Sequence, residues 1–362
     1  MTRGVNAIDF WRGVALVTIF INHIPGIFYE RLTHKNLSLS DSAELFVFLA
    51  GWSLRHAVGP PEDPKPAAQL VFRLYGRALT LYAAHLTIVM LAIAMLAVSA
   101  RVLDNPLLLE WHNAAAVFFD PVNTHIGLVA LTHQLGYFDI LPLYVVLMLI
   151  APLIAIIHRN APNLLLPLSL GVYLAALIVP LSVPSWPTEG QWFFNPLCWQ
   201  LVFVLGFSMS RERGAGGWVR RNMTAIRWAA LPLLVAFTAM SLLQWLPDAT
   251  KVPEPKLLFI VGKTFVTPLR LIQFVALIAV LSLAYPYIEK TVPAITSFLA
   301  RLGRNALPVF CVGSLLSLAG QIARFYFGGG LVIDTVLVFF GVTVMAVTAW
   351  LSEWRDRVEK PR

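Results

Sequence analysis

Charge is scarce in this chain, and the scarcity excludes an ordinary soluble domain. Only 13% of its 362 residues are Asp, Glu, Lys or Arg and 58% are hydrophobic, whereas a soluble domain averages about 25% charged and about 45–50% apolar. No polar stretch is long enough to form a separate domain, so residues 1–362 read as a single membrane domain. Cysteine is nearly absent: Cys198 and Cys311 both sit in apolar segments, which excludes a disulfide framework and a cysteine metal site, and no metal is expected. Strict polar/apolar alternation is also lacking, which excludes a membrane β-barrel. There is no basic face with interleaved aromatics, so the net charge of +8 points to arginine-rich inner loops and not to nucleic acid. No internal repeat of the kind many secondary transporters carry is visible. The first apolar segment is interrupted by Asp9 and Arg12 and is followed by no small-residue cleavage site, so it is expected to stay as a span and not to leave as a signal peptide.

What is present is a series of apolar runs. A bilayer-crossing helix needs about 20 mostly apolar residues, and ten segments qualify: roughly 8–28, 42–58, 74–99, 138–157, 163–180, 197–210, 228–246, 268–286, 306–325 and 331–352, of which the second and sixth are short. The expected fold class is all-α, a polytopic transmembrane helix bundle of about ten spans. Lys and Arg asymmetry orients it. With the N-terminus in the cytoplasm, 19 of the 27 cations lie inside, among them Arg3, Lys65, Arg221, Arg304, Lys360 and Arg362, and 8 lie outside, among them Lys35, Lys263 and Arg270. Both termini are therefore expected in the cytoplasm. The two larger outer loops, 101–137 and 182–196, concentrate Trp111, His112, Asn113, His125, His133, Trp186, Trp192 and Asn195. Such residues suit a sugar-binding surface by stacking and hydrogen bonding, and equally an interfacial aromatic belt.

Within the spans, ionisable residues are costly and mark cavities or partners. Arg12 and His23 are eleven residues apart, about three turns plus about 20°, so they share a helix face with a rise of about 16 Å. Arg12 then sits near the inner surface and His23 in the outer half. Arg73 and Arg77, at i and i+4, share a face that can grip phosphate oxygens or simply anchor the inner end of a span. Glu44 lies at the outer start of the second segment, where it can fix the tautomer of His23 or favour the helix dipole; for Asp41 the dipole reading is preferred. His85, eight residues after Arg77, lines the same cavity or is a core histidine. Asp139 is a second outer carboxylate, a partner for His23 or for substrate hydroxyls. Asn195 and Gln200 position substrate or join helices. Arg304 and Asn305 read as an inner anchor and helix start.

Arg12 with His23 resembles the arginine-x10-histidine signature of the acyltransferase-3 membrane proteins, and Arg73-x-x-x-Arg77 resembles their second signature. The stretches Tyr137–Tyr144, Asn195–Gln200 and Leu302–Phe310 resemble the OpgC branch, which includes the succinyltransferase of osmoregulated periplasmic glucans. The resemblance runs from Ile8 to about Trp354; Glu44 stands where the broader family has aspartate, and Ala50 where it has serine. It implies a multi-pass protein of the bacterial inner membrane that transfers an acyl group, succinyl or acetyl, from cytoplasmic acyl-coenzyme A to a periplasmic glycan hydroxyl. By that resemblance Arg12, Arg73 and Arg77 hold the donor, His23 is the general base and Glu44 orients it; Asp139, His85, Asn195, Gln200 and Trp192 are the residue-level candidates for substrate contact. Expected partners are the acyl-CoA co-substrate, the glycan and membrane lipid; a homo-oligomer is compatible with the sequence. Two competing readings are a proton-coupled transporter, with Arg12, His23 and Glu44 as relay, and an N-acyltransferase acting on an amino sugar.

Overall fold

The computed structural model describes residues 6–59 and 66–359. The inner-side cations Arg3, Lys65, Lys360 and Arg362 lie outside the described residues. The described residues form fifteen α-helices: α1 (Ala7–Asn22), α2 (Ser42–Val58), α3 (Ala67–Val102), α4 (Ala115–Phe119), α5 (Pro121–Val129), α6 (Ile140–Asn160), α7 (Leu165–Ile178), α8 (Pro196–Met209), α9 (Ala215–Arg221), α10 (Met223–Leu242), α11 (Pro268–Leu281), α12 (Ala284–Thr291), α13 (Pro293–Arg304), α14 (Ala306–Phe327) and α15 (Leu331–Glu359). No strand occurs among the described residues beyond a single bridge between Pro184 and Gln191. The all-α class expected from the apolar runs is the class observed.

Each of the ten apolar segments coincides with a helix, but five helices are long and apolar enough to cross a membrane by themselves: α3, α6, α10, α14 and α15. The pair α11 and α12, bent by 44°, makes a sixth if counted as one span. Helices α7 and α8 have 14 residues each, about 21 Å of rise against about 30 Å of hydrocarbon. Helices α1 and α2 have 16 and 17 residues and carry ionisable groups. Lipid-facing positions are apolar as a bilayer demands: Phe72, Leu79 and Val98 on α3, Val235 on α10, and Val332 and Phe339 on α15 all point outward.

Close glycine contacts set the packing around α1 and α2. A Cβ on Gly51 would overlap the Phe203 carbonyl, and one on Gly206 would overlap the Phe48 carbonyl, so α2 and α8 meet backbone to backbone. The same reciprocal notch joins α1 to α13, through Gly13 against Leu299 and Gly303 against Asp9. Small residues at such crossings let helices approach where no hydrophobic force drives them together. The chain after α1 is pinned by a partly buried pair: Arg324 of α14 binds Asp334 of α15. Arg324 also donates to the Gly26 carbonyl (2.8 Å), and Asp334 accepts from the Phe28 N–H (2.7 Å). The C-terminus of α1 meets the N-termini of α2 and α6 and the side of α14, and the site lies among them.

Candidate active site

His23 caps the C-terminus of α1. Its imidazole stands over Tyr137 with ring centroids 4.6 Å apart, and Tyr137 in turn meets the edge of His112 at 5.1 Å. Gln321 of α14 closes the circle: its Nε2 donates to the His23 carbonyl (2.5 Å) and its Oε1 accepts from His112 Nε2 (2.6 Å). That bond fixes the His112 tautomer. Burial pushes the His112 imidazole down, with the Gln321 bond opposing, which favours the neutral ring that this tautomer requires. His23 Nδ1 is buried and has no partner among the described residues.

The His23 ring opens onto a cavity of about 330 Å³ whose wall includes Lys35, Asp41, Tyr137, Asp139, Phe193, Phe194, Lys263 and Phe310. Its charges are organised around Asp41. Lys263 Nζ binds Asp41 at 2.5 Å and lies over the rings of Phe193 and Phe194 at 5.5 and 5.4 Å. Arg270 of α11 reaches Asp41 at 3.2 Å and also binds Glu44 and the Leu39 carbonyl. Burial alone pushes the Asp41 carboxyl up; Lys263 and Arg270 outweigh it and hold the carboxyl well below the usual carboxylate range. The arrangement offers a nitrogen base, an ionised carboxylate near it, and cations on the same wall. This set suits proton abstraction from a hydroxyl and attack on a carbonyl. Among the described residues no group of three or more His, Cys, Asp or Glu is placed to hold a metal ion.

Several sequence expectations change here. Glu44 does not meet His23. It is fully buried in a capping box with Asp41, its carboxylate taking the Asp41 N–H (3.0 Å) and the Arg270 guanidinium. Asp41, read as a helix-start charge, is that and also the carboxylate on the cavity wall. Asn195 is engaged by the fold: its side chain caps α8 through the Leu197 N–H (3.0 Å) and donates to the Leu181 carbonyl (2.7 Å). Gln200 joins α7 to α8 by pairing with the Ser169 hydroxyl (2.6 Å) and carbonyl (2.8 Å). Trp192 is buried behind the wall, and its neighbours Phe193 and Phe194 face the cavity instead. His85 is buried on the packed side of α3 and is not on the cavity wall; neither ring nitrogen has a partner among the described residues. Asp139 does lie on the wall. Replacing Asn195 by Ala is therefore expected to cost about 1 kcal/mol of stability through the lost cap, read as a lower midpoint of thermal unfolding in detergent, with substrate KM unchanged.

Lower in the bundle, Arg12 turns toward α2, donating to the Ser53 hydroxyl (2.5 Å) and the Leu49 carbonyl (3.2 Å). Arg73 and Arg77 are exposed on α3 and make no hydrogen bond or ion pair with the described residues, although Arg77 lies within electrostatic reach of Cys311 on α14. The sequence reading did not find Lys35, Lys263, Tyr137 or Phe310. Tyr137 adopts a positive φ of 67°, and Lys263 sits in an irregular loop, so neither follows from a periodic pattern. A comparison with protein families finds a model described as OpgC protein, which matches residues 4–357. No curated protein and no solved structure matches the chain.

Proposed function

The chain belongs to the OpgC family, and from that premise we propose that it is a membrane O-acyltransferase that passes an acyl group from a cytoplasmic thioester to a glycan hydroxyl on the opposite side. The observation that carries the proposal is the cavity at the end of α1 that carries His23, where His23, Asp41 and Asp139 converge, in a bundle that elsewhere exposes Arg73 and Arg77 on α3 with no hydrogen bond or ion pair among the described residues. In this reading the chain crosses the inner membrane of a bacterium ten times with both termini in the cytoplasm, and α1, α2, α7 and α8 are short crossings made tolerable by local thinning of the bilayer.

The donor is acyl-coenzyme A. Arg73 and Arg77 bind its phosphates as paired guanidinium groups on one helix face, Arg12 stands deeper, and the pantetheine arm rises beside α1 through the about 16 Å that separates Arg12 from His23. His23 takes the proton of the acceptor hydroxyl. The hydroxyl oxygen forms the new ester bond to the acyl carbon, the C–S bond breaks, and the proton passes from the imidazole to the departing thiolate. The Asp41 carboxylate stabilises the imidazolium between those two transfers. Lys35 and Lys263 on the same wall provide the cationic surroundings that the free carboxylate of a succinyl group needs, and the aromatic pair Phe193 and Phe194 offers faces for a sugar ring.

The test is directional. Purified protein in sealed vesicles, with succinyl-CoA on the side of Arg73 and a β-glucan on the side of His23, is expected to release coenzyme A on the first side and yield a glucan ester on the second. Release without a glucan ester, or no reaction with succinyl- or acetyl-CoA, sinks the proposal.

A further inference from the structure

Tyr144 has a hydroxyl that the protein does not use. The side chain is buried on α6, and its oxygen has no hydrogen-bond partner among the described residues. A phenol shut away from water without a partner costs free energy, and such groups in a native fold call for a ligand or an ordered water. Its position narrows the choice. Asp139 and Ile140, at the start of α6, line the outer cavity. Tyr144 comes four residues after Ile140, on the same helix face and about 6 Å deeper. Its ring meets Phe46 (5.5 Å), which stacks on Phe310 (6.1 Å), and Phe310 lines the cavity. The field of Arg12 reaches Tyr144 from below. Tyr144 therefore lies just beyond the cavity, in an aromatic layer that reaches the cavity wall through Phe310.

We infer that the Tyr144 hydroxyl is the hydrogen-bond donor to an amide or thioester carbonyl of the donor's pantetheine arm, and that the layer of Tyr144, Phe46 and Phe310 parts around that arm when it enters. The inference rests on the acyl-CoA reading above and adds a binding residue to it. The chemistry fits: the arm is a narrow chain with amide carbonyls at intervals, so an apolar aromatic sleeve with one hydroxyl donor matches it. The adenine nucleotide end, with its charge, stays with the arginines.

Tyr144→Phe keeps the ring and removes only the oxygen, so the fold is preserved. Titration calorimetry on the purified full-length protein uses two probes: coenzyme A, which carries the arm, and adenosine 3′,5′-bisphosphate, which does not. Tyr144→Phe is expected to weaken coenzyme A about tenfold, the loss of one hydrogen bond in a dry setting, and to leave the bisphosphate unchanged. The midpoint of thermal unfolding of the unliganded variant is expected to equal or exceed that of the native protein, because an unsatisfied group has been removed. Equal affinity of native protein and variant for coenzyme A overturns the inference, with the donor reading intact. An equal loss for both probes also overturns it, since it places the effect in the fold. Failure of the native protein to bind coenzyme A overturns both the inference and the donor reading.

Discussion

Changing His23 to Gln is expected to lower acyl transfer by about 10²–10⁴-fold, measured as the initial rate of glucan esterification in sealed vesicles. The glutamine side chain fills a similar volume and keeps hydrogen-bonding capacity, but it cannot accept a proton from a hydroxyl at neutral pH. The anchors of this segment do not depend on the imidazole. Gln321 holds the backbone carbonyl of residue 23, and Arg324 holds that of Gly26. The expected loss of stability is correspondingly small, limited to the ring contact with Tyr137. Affinity for coenzyme A should change by less than about threefold, because in the proposed mode the donor's charge is bound near Arg73 and Arg77 on α3, away from the imidazole. A fall in rate with unchanged donor affinity is the signature of an interaction made in the transition state alone. A His23→Gln protein that esterifies glucan at the native rate would remove the base from the mechanism, and the family assignment would stand without it.

The helices were legible because they are written as apolar runs, and each of the ten runs found its helix, although only five of those helices are long and apolar enough to cross a membrane by themselves. Helix α13 was not, because only one face of its 12 residues is apolar and Arg301 and Arg304 in its last turn read as an inner loop. Its role is visible only across the contact with α1, where Gly303 and Gly13 interlock. The site divides along the same line. The place of His23 on the cavity wall was legible, since α1 runs from before Arg12 to His23 as its C-cap and helical geometry sets most of the path between them. The partner of Glu44 was not, because Arg270 is 226 residues away and no periodicity relates positions on different helices. Asn195-Pro196 carried part of its answer: a side-chain cap followed by proline at the first helical position is the signal of a helix start, and that local chemistry takes the side-chain oxygen, while the nitrogen goes to the Leu181 carbonyl in the preceding loop. Gln200 gave no such warning, as its Ser169 partner belongs to the preceding helix.

Arg270→Met is expected to destabilise the protein by about 3–5 kcal/mol, an effect on folding as large as that of His23→Gln on rate. Arg270 is 7% exposed and Glu44 is 0% exposed. The guanidinium binds Glu44, Asp41 and the Leu39 carbonyl together, so it ties α11 to the N-terminus of α2. Without it Asp41 keeps Lys263, but Glu44 is left as a buried carboxylate with only the Asp41 N–H. Removing one partner of a buried pair costs far more than removing both, which gives the prediction its internal control. The double variant Glu44→Gln with Arg270→Met should recover a large part of the lost stability in a double-mutant cycle, read from thermal unfolding in detergent. The cycle also decides what Glu44 is for. If Glu44 acted by orienting His23, Glu44→Gln would cut the catalytic rate with little effect on unfolding, and Arg270→Met would not be rescued by it. The geometry demands the reverse: Glu44→Gln lowers stability, leaves the rate constant of the folded fraction near native, and couples to Arg270. A rate loss comparable to that of His23→Gln without coupling to Arg270 would return Glu44 to the chemistry and show that the ion pair in this structure is not the state in which the protein works.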